Sequence, residues 1–455
     1  SRPFGRLLDK NTLKKMNKLI VIAALFLVGG LGEANAQQAL SLGDAVAKAL
    51  NSNFQIKIVQ AQIEIAENNN TWGETSALPS IGLVAGQNNQ VTDQSRNPTA
   101  FIQDQIYSTG VEYGANLNWT LFDGFGMFAN KRQLELLEVQ SEGNATLVIE
   151  NTVQAVILAY YDVLLQYERL DVLNEVIGLS RSRLEYIELK RELGASTTFE
   201  ILQFENSIIS DSTNYLQQEI AQKNALRNLN LLMGDEVTTT WELATKLEAP
   251  AASYEFSTLW NEVKGANQTL KNQAINSMLA EQQARLAKSA MYPVVSFNAG
   301  INQSQNRFEV GELAGDGETL SYFGNFALNF NLFNGGKTRR NLRNAHINEE
   351  IALLNSTDIE RQVQMELVNR IDLYNAQLSI FDLIDRNIEN QKTALDIAAD
   401  RFQNGVVNSF DYRTAQLNYL NSNLTQIEAL TNLLNSHVNL VRLRGGILEI
   451  NQSQQ

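Results

Sequence analysis

Gly336-Lys337-Thr338 reads like the last three positions of a phosphate-binding loop, where a lysine reaches the phosphates and a hydroxyl holds magnesium. Such a loop needs a glycine five residues before Gly336, and Asn331 stands there. Lys337 then reads as a residue opening a helix. His346 and His437 have no partner at ligand spacing. Met127, Met233, Met278, Met291 and Met365 are dispersed and form no ladder of soft-metal ligands. There is no cysteine, which excludes disulfides and thiolate metal sites. Paired carboxylates occur on long acidic helical stretches, where a solvated face is the ordinary reading. No nucleophile stands with a base. The residue types therefore predict no enzyme, no metal and no cofactor.

The informative pattern is a strand. Gly110–Gly124, GVEYGANLNWTLFDG, places Val111, Tyr113, Ala115, Leu117, Trp119 and Leu121 on one face. Glu112, Gly114, Asn116, Asn118 and Thr120 fall on the other. The pattern returns at Ser321–Gly335, SYFGNFALNFNLFNG. There Tyr322, Gly324, Phe326, Leu328, Phe330 and Leu332 alternate with Phe323, Asn325, Ala327, Asn329 and Asn331.

The elements around these strands are mostly helical. Residues 14–36 hold a basic start, an apolar run too short for a comfortable membrane span, and Ala34-Asn35-Ala36. Residues 1–36 are expected to be an export signal with upstream residues, cleaved near Gln37. Without them the net charge is −18, which argues against nucleic acid as a partner. Leu42–Ser76 predicts a helix, with Ala45, Ala49, Ile56, Val59 and Ile63 on one face. Ile81, Leu83 and Ala85 predict a strand, and Gln87–Thr109 a polar loop. A helical pattern runs from Gly124 to Leu193. A turn at Gly194 precedes a helix from Thr198, read as its N-cap, to Met233, with Gly234 as C-cap. Then the plan restarts. Ser257–Met291 predicts a helix, Val295–Ile301 a strand and Asn302–Leu320 a polar loop. Gly336–Gln403 predicts a long helix, Asn404-Gly405 a turn, and a last helix ends near Gly445-Gly446.

The punctuation repeats. Pro79 matches Pro293 and Gly86 matches Gly300 at an offset of 214; Gly124, Gly194, Phe199 and Gly234 match Gly335, Gly405, Phe410 and Gly445 at 211. The expected organisation is a first repeat at 37–234, a linker at 235–255 and a second repeat with a tail at 256–455. A 70-residue helix is about 100 Å long, and two 35-residue helices laid end to end match it. Each half is expected to be a rod two helices wide, with a strand pair at one end and the linker at mid-length.

Four strands per chain with a continuous apolar face leave no helix to cover that face. In a bilayer an open sheet is excluded by its unpaired edges, and eight strands is the practical minimum for a closed barrel. Two or more chains must therefore contribute. The expected lipid-facing residues are Val111, Tyr113, Leu117, Trp119, Tyr322, Phe326, Leu328 and Phe330. The expected lumen-facing residues are Glu112, Asn116, Asn118, Asn325 and Asn329.

With those features in hand, Leu40 to about Gly446 resembles the TolC family of outer membrane efflux proteins. The resemblance is carried by LSLGDAVAKALNSN at 40–53, ALPSIGLVAG at 77–86, the paired WTLFDG and FNLFNGG, and the two helix–turn–helix tips. It implies a mainly α chain built as a tandem repeat and assembled as a homotrimer. The trimer would have one twelve-strand barrel in the outer membrane of a Gram-negative cell and a helical periplasmic tunnel with an equatorial belt. It implies a passive exit duct for efflux or type I secretion, joined by a periplasmic adaptor to an inner-membrane RND or ABC transporter. It implies a closing tip at Arg401–Gln416, RFQNGVVNSFDYRTAQ. By position Phe402 takes the place of a gating aromatic, Asp411 that of an aperture aspartate, and Glu200 that of the first-half acidic residue. Thr414 stands where the family's type member has a second acid, and Val407 where it has an arginine. Asp411 and Glu200 also read simply as carboxylates opening helices, where they complement the dipole. The rival function is a periplasmic or surface coiled-coil structural protein with a β-tip anchor; sustained strict heptads would favour it, and these helices lack them.

Overall fold

The computed structural model describes residues 39–250 and 252–448. The expected export signal lies outside the described residues. Among the described residues, Ala39 with Thr240–Glu242 falls in a small unit and residues 40–239 with 243–448 in a large one. The elements in order are β1 (Ala39–Leu40), α1 (Leu42–Ser52), α2 (Phe54–Asn69), β2 (Ser80–Asp93), β3 (Gln105–Phe122), α3 (Gly126–Glu192) and α4 (Thr198–Met233). Then follow β4 (Glu242–Leu243), α5 (Phe256–Ala266), α6 (Gln268–Ser289), β5 (Val294–Val310), β6 (Leu313–Asn329), α7 (Lys337–Gln403) and α8 (Ser409–Leu443).

Two predicted helices are each broken once. The predicted helix Leu42–Ser76 is α1 and α2, divided at Asn53, whose backbone is extended, and it stops short at Asn69. The Asn53 side chain accepts from the N–H groups of Gln55 and Ile56, at 2.8 and 3.4 Å, and donates to the Leu232 carbonyl at 2.8 Å. Ser257–Met291 is α5 and α6, divided at Asn267 in the same way. Asn267 accepts from Leu270 at 3.1 Å and donates to the Leu443 carbonyl at 2.9 Å. An asparagine satisfies orphan donors at a helix start, and here its amide also satisfies a carbonyl at a neighbouring helix end. The apolar spacing runs through both breaks because the helices on either side bury one common face. Gly234 and Gly445 close these junctions at φ +71° and +81°. A Cβ on Gly234 would stand 2.7 Å from the Ser52 carbonyl oxygen, and one on Gly445 2.9 Å from the Ala266 Cβ. Glycine is required at both, for conformation and for room.

The long helices, 67 residues each, supply the core. On α3 the buried run includes Val153, Val156, Ile157, Tyr160, Val163 and Leu164. Tyr160 donates its phenol proton to the Leu40 carbonyl at 2.8 Å and accepts from the Thr245 N–H at 3.3 Å. Tyr374 on α7 donates to the Ala252 carbonyl at 2.9 Å. The linker is thus tied to the long helices by buried phenols, at mid-length through Thr245 and near its end through Ala252.

The main sheet is antiparallel in the order β2-β3-β5-β6. Its strands outrun both predicted loops. β2 and β3 leave only residues 94–104 between them, and β5 and β6 are joined by Gly311 and Glu312. The backbone ladder continues where apolar alternation stops, so the polar ends of the strands look like loop in sequence. At the other end Phe122, not Leu121, pairs with Val295, because the register shifts between Thr120 and Phe122.

Candidate functional site

Cross-strand partners share a face, so the register sorts the sheet. One face holds the rows Leu83–Ala115–Ile301–Tyr322 and Ile81–Leu117–Ala299–Gly324, then Trp119–Phe297–Phe326 and Val295–Leu328. It turns polar at Gln87–Val111–Gln305–Glu318, and Arg307, facing Asp316, lies beyond. Five rows from Leu328 to Leu320 span about 27 Å along the strands, which suits the apolar band of a membrane barrel. Val111 sits on its edge, and Phe330 lies just past the end of β6. The opposite face holds Asn118–Asn298–Asn325, Asn116–Gly300–Phe323 and Glu112–Ser304–Thr319, with Asn329 across from Val294. Glu112 is the one ionisable side chain on this face among the described strand residues.

The helices follow the order of the strands. α3 packs on α1, α2 and α4, and also on α6 and α8; α7 packs on α5, α6 and α8. The α2/α4 pair therefore lies at one margin and α7 at the other, as β2 and β6 do. Each margin bears an uncovered apolar stripe at helical spacing: Leu202, Ile209, Leu216 and Ile220 on α4, and Ile347, Ile351, Leu354, Met365 and Val368 on α7.

The two helical hairpins meet at their turns. Gly194 and Gly405 adopt φ +73° and +71°. Each turn closes with the same bonds, Ala195 N–H to the Lys190 carbonyl at 2.8 Å and Val406 N–H to the Arg401 carbonyl at 2.9 Å. Thr197, one residue before the expected cap, caps α4 in a reciprocal box with Glu200. Ser196 adds its hydroxyl to the Glu200 carboxylate at 2.8 Å. Burial pushes the Glu200 carboxyl up, but the Thr197 backbone, the Ser196 and Thr197 hydroxyls and Lys190 outweigh it and hold the group below the usual range. Asp411 lies in the first turn of α8, with its N–H held by the Asn408 side chain at 2.9 Å and its carboxylate exposed. Thr414 is exposed and returns its hydroxyl to the Phe410 carbonyl at 3.0 Å. Phe402 is placed differently. It is 4% exposed, stacked on Tyr412 at 5.2 Å and packed on Phe204 at 6.1 Å. With Ile187, Ile201 and Leu395 these rings form the core shared by both hairpins.

Beside that core lies a polar network that the sequence reading missed. Arg413 of α8 pairs with Asp211 of α4 at 2.6 Å, and Asp211 is 2% exposed. Ser180 of α3 donates to Asp211 at 3.1 Å and accepts from Arg413 at 3.3 Å. Arg183 donates to the Tyr412 phenol at 3.0 Å, and its guanidinium lies over the Tyr412 ring. Ser409 donates to Gln203 at 2.9 Å, and Tyr186 to the Gln403 carbonyl at 2.9 Å. Every one of these bonds except Ser180 to Asp211 runs between the first hairpin and the second. A signal was present: Ile201, Phe204 and Asp211 share one helix face, and an acid on a core face demands a partner.

The model of the family described as outer membrane efflux protein matches residues 45–235 and 259–446. The chain belongs to the outer membrane efflux protein family. The two matched segments leave the linker between them. The outer membrane protein TolC of Vibrio cholerae is 23% identical over 428 residues, covering 91% of this chain and 92% of that relative. The outer membrane efflux protein BepC of Brucella suis is 23% identical over 421 residues, covering 85% and 84%. The fold is that of solved channels of this family. The Campylobacter jejuni CmeC outer membrane channel aligns with a TM-score of 0.72 at 18% identity, over 92% of this chain and 90% of that one. The open state of the Neisseria gonorrhoeae MtrE channel aligns at 0.66 and 14%, over 89% of each. As an outer membrane efflux protein, this is a protein of the outer membrane.

Proposed function

We propose that this chain is the outer-membrane exit duct of a tripartite efflux pump or a type I secretion system. Three copies close into one twelve-strand barrel above a helical tunnel. The observation that carries this reading is the agreement of margins. Strands and helices end on the same two sides, each side with unpaired ladder groups or an uncovered apolar stripe. Opposite, non-identical margins close a ring by head-to-tail contact. The apolar sheet face then meets lipid, and the Asn-rich face with Glu112 lines water. The duplicated Asn53 and Asn267 junctions support descent of residues 37–234 and 256–455 from one repeat, with 235–255 as the belt.

The tip is the gate in this reading. Asp411 and Thr414 are its exposed polar residues, Glu200 its half-buried capping carboxylate, Gly194 and Gly405 its turns, and buried Phe402 its packing core. The bonds from Arg413, Ser409 and Tyr186 hold the hairpins together in the closed state. Widening the tip requires their exchange for other partners, which a periplasmic adaptor bound to an RND or ABC transporter supplies. The duct itself is passive and needs no cofactor.

The absence of cysteine makes the test clean. Gln203→Cys with Ser409→Cys places one thiol on each hairpin beside the Gln203–Ser409 contact. Oxidation should lower conductance in planar bilayers, and reduction should restore it. A conductance indifferent to the disulfide would remove the tip from the gating role.

A further inference from the structure

Five rings gather just past the sheet, where α3 begins and α6 ends: Trp72, Phe122, Phe125, Phe128 and Tyr292. Phe125 meets Phe122 at 5.2 Å, Tyr292 at 6.2 Å and Phe128 at 6.4 Å, and Trp72 meets Phe128 at 5.8 Å. Phe122 faces Val295, so the cluster continues the apolar face of the sheet. Phe125 is held at φ +69°, in the left-handed region that favours glycine, and is 59% exposed. The matching residue 211 positions on is Gly336, at φ +77°. Glycine serves the fold at this bend in the second half, so the strained Phe125 ring is kept for something other than the bend.

Next to the rings is a cavity of about 290 Å³, walled by Phe125, Phe128 and Tyr292 and by Arg132, Arg285 and Lys288. Arg132 pairs with Glu135 at 2.8 Å and Arg285 with Glu281 at 2.6 Å. Lys288 makes no ion pair or side-chain hydrogen bond among the described residues and is exposed. Rings continuous with an apolar band, with cations on the side away from the strands, match the order of acyl chain and phosphate at a membrane interface. Both α3 and α6 are interior to the order of helices, so a ring-closing neighbour at α4 or α7 does not cover the cavity.

We infer that this cavity binds a glycerophospholipid of the periplasmic leaflet. Its phosphate sits on Lys288, with Arg132 and Arg285 beside it, and its upper acyl chain lies on Phe125, Phe128 and Tyr292. The inference rests on the apolar sheet face being lipid-facing.

The test is phospholipid retained per chain after detergent purification, read by native mass spectrometry. The wild type should keep about one per chain, and Lys288→Gln should reduce retention roughly tenfold. Phe125→Gly should also lose it while leaving thermal stability equal or higher, because the bend is relaxed. Equal retention by both variants overturns the inference. Displacement of the bound species by inorganic phosphate alone also overturns it, because the site is then one for free phosphate. Flotation with phospholipid vesicles separates the two readings. Protein that floats but retains no phospholipid ends this inference only, whereas protein that does not float ends the lipid-facing sheet as well.

Discussion

Arg413 and Asp411 stand two residues apart on α8 and do different work. Arg413 turns inward to the buried Asp211, whereas Asp411 stays in water at the turn. Removing one partner of a buried ion pair leaves an uncompensated charge and costs about 3–5 kcal/mol, while replacing both by apolar groups is often neutral. Asp211→Asn is therefore expected to be strongly destabilising in the presence of Arg413, and Asp211→Leu with Arg413→Met much less so. Denaturant midpoints of the single and double variants check this, and simple additivity would show that the pair is not coupled. At Asp411, three carboxylates around a threefold axis would favour multivalent cations. Asp411→Asn should weaken block by such cations in planar bilayers. An unchanged cation profile would leave Asp411 as a helix-opening residue only.

Helices and strands were legible where one residue class repeats at one period. The apolar alternation of β3 and β6 sorts residues onto faces as the register does, from Val111 to Trp119 and from Tyr322 to Leu328. Reading failed where a single residue acts against its surroundings. Asn53 and Asn267 break helices whose apolar spacing is continuous, because capping bonds are local and the buried face is not. The strand ends were read as loops because ladder bonds are backbone bonds and leave no mark on side-chain type. That Phe402, placed at the tip by resemblance, packs inside its core was not legible either, since position along a helix does not fix which face a side chain turns. Asp211 and Arg413 lie 202 residues apart, and no local period joins them.

The linker carries its own prediction at this scale. Tyr254 meets His437 of α8, oxygen to Nδ1, at 2.7 Å. Burial and the neighbouring Tyr374 push the Tyr254 phenol up to about 12. Burial first, and then Arg444, lower His437 below its ordinary 6.5. His437 is therefore neutral and accepts, and Tyr254 donates. A folded-state value below the unfolded one means that this contribution is complete above pH 6.5 and is lost as pH falls from there through the folded value. Thermal stability of the wild type should fall over that range more steeply than that of His437→Gln. Parallel pH curves would show that this contact does not anchor the linker.

At the scale of the whole molecule, one chain is an open piece with two unlike margins. Apolar rows with no cover, edge strands with free ladder groups and stripes on α4 and α7 are costly in an isolated chain and are satisfied together by a closed ring. The wet face of the sheet and the tip then become the two ends of one passage. In the proposed duct, the tip bonds hold the resting state closed. The direct test is single-channel conductance of the purified protein in planar bilayers, with Arg413 present and with Asp211→Leu and Arg413→Met combined. The account predicts small discrete conductance steps for the wild type and steps several-fold larger for the double variant. Absence of channels from both proteins would contradict it.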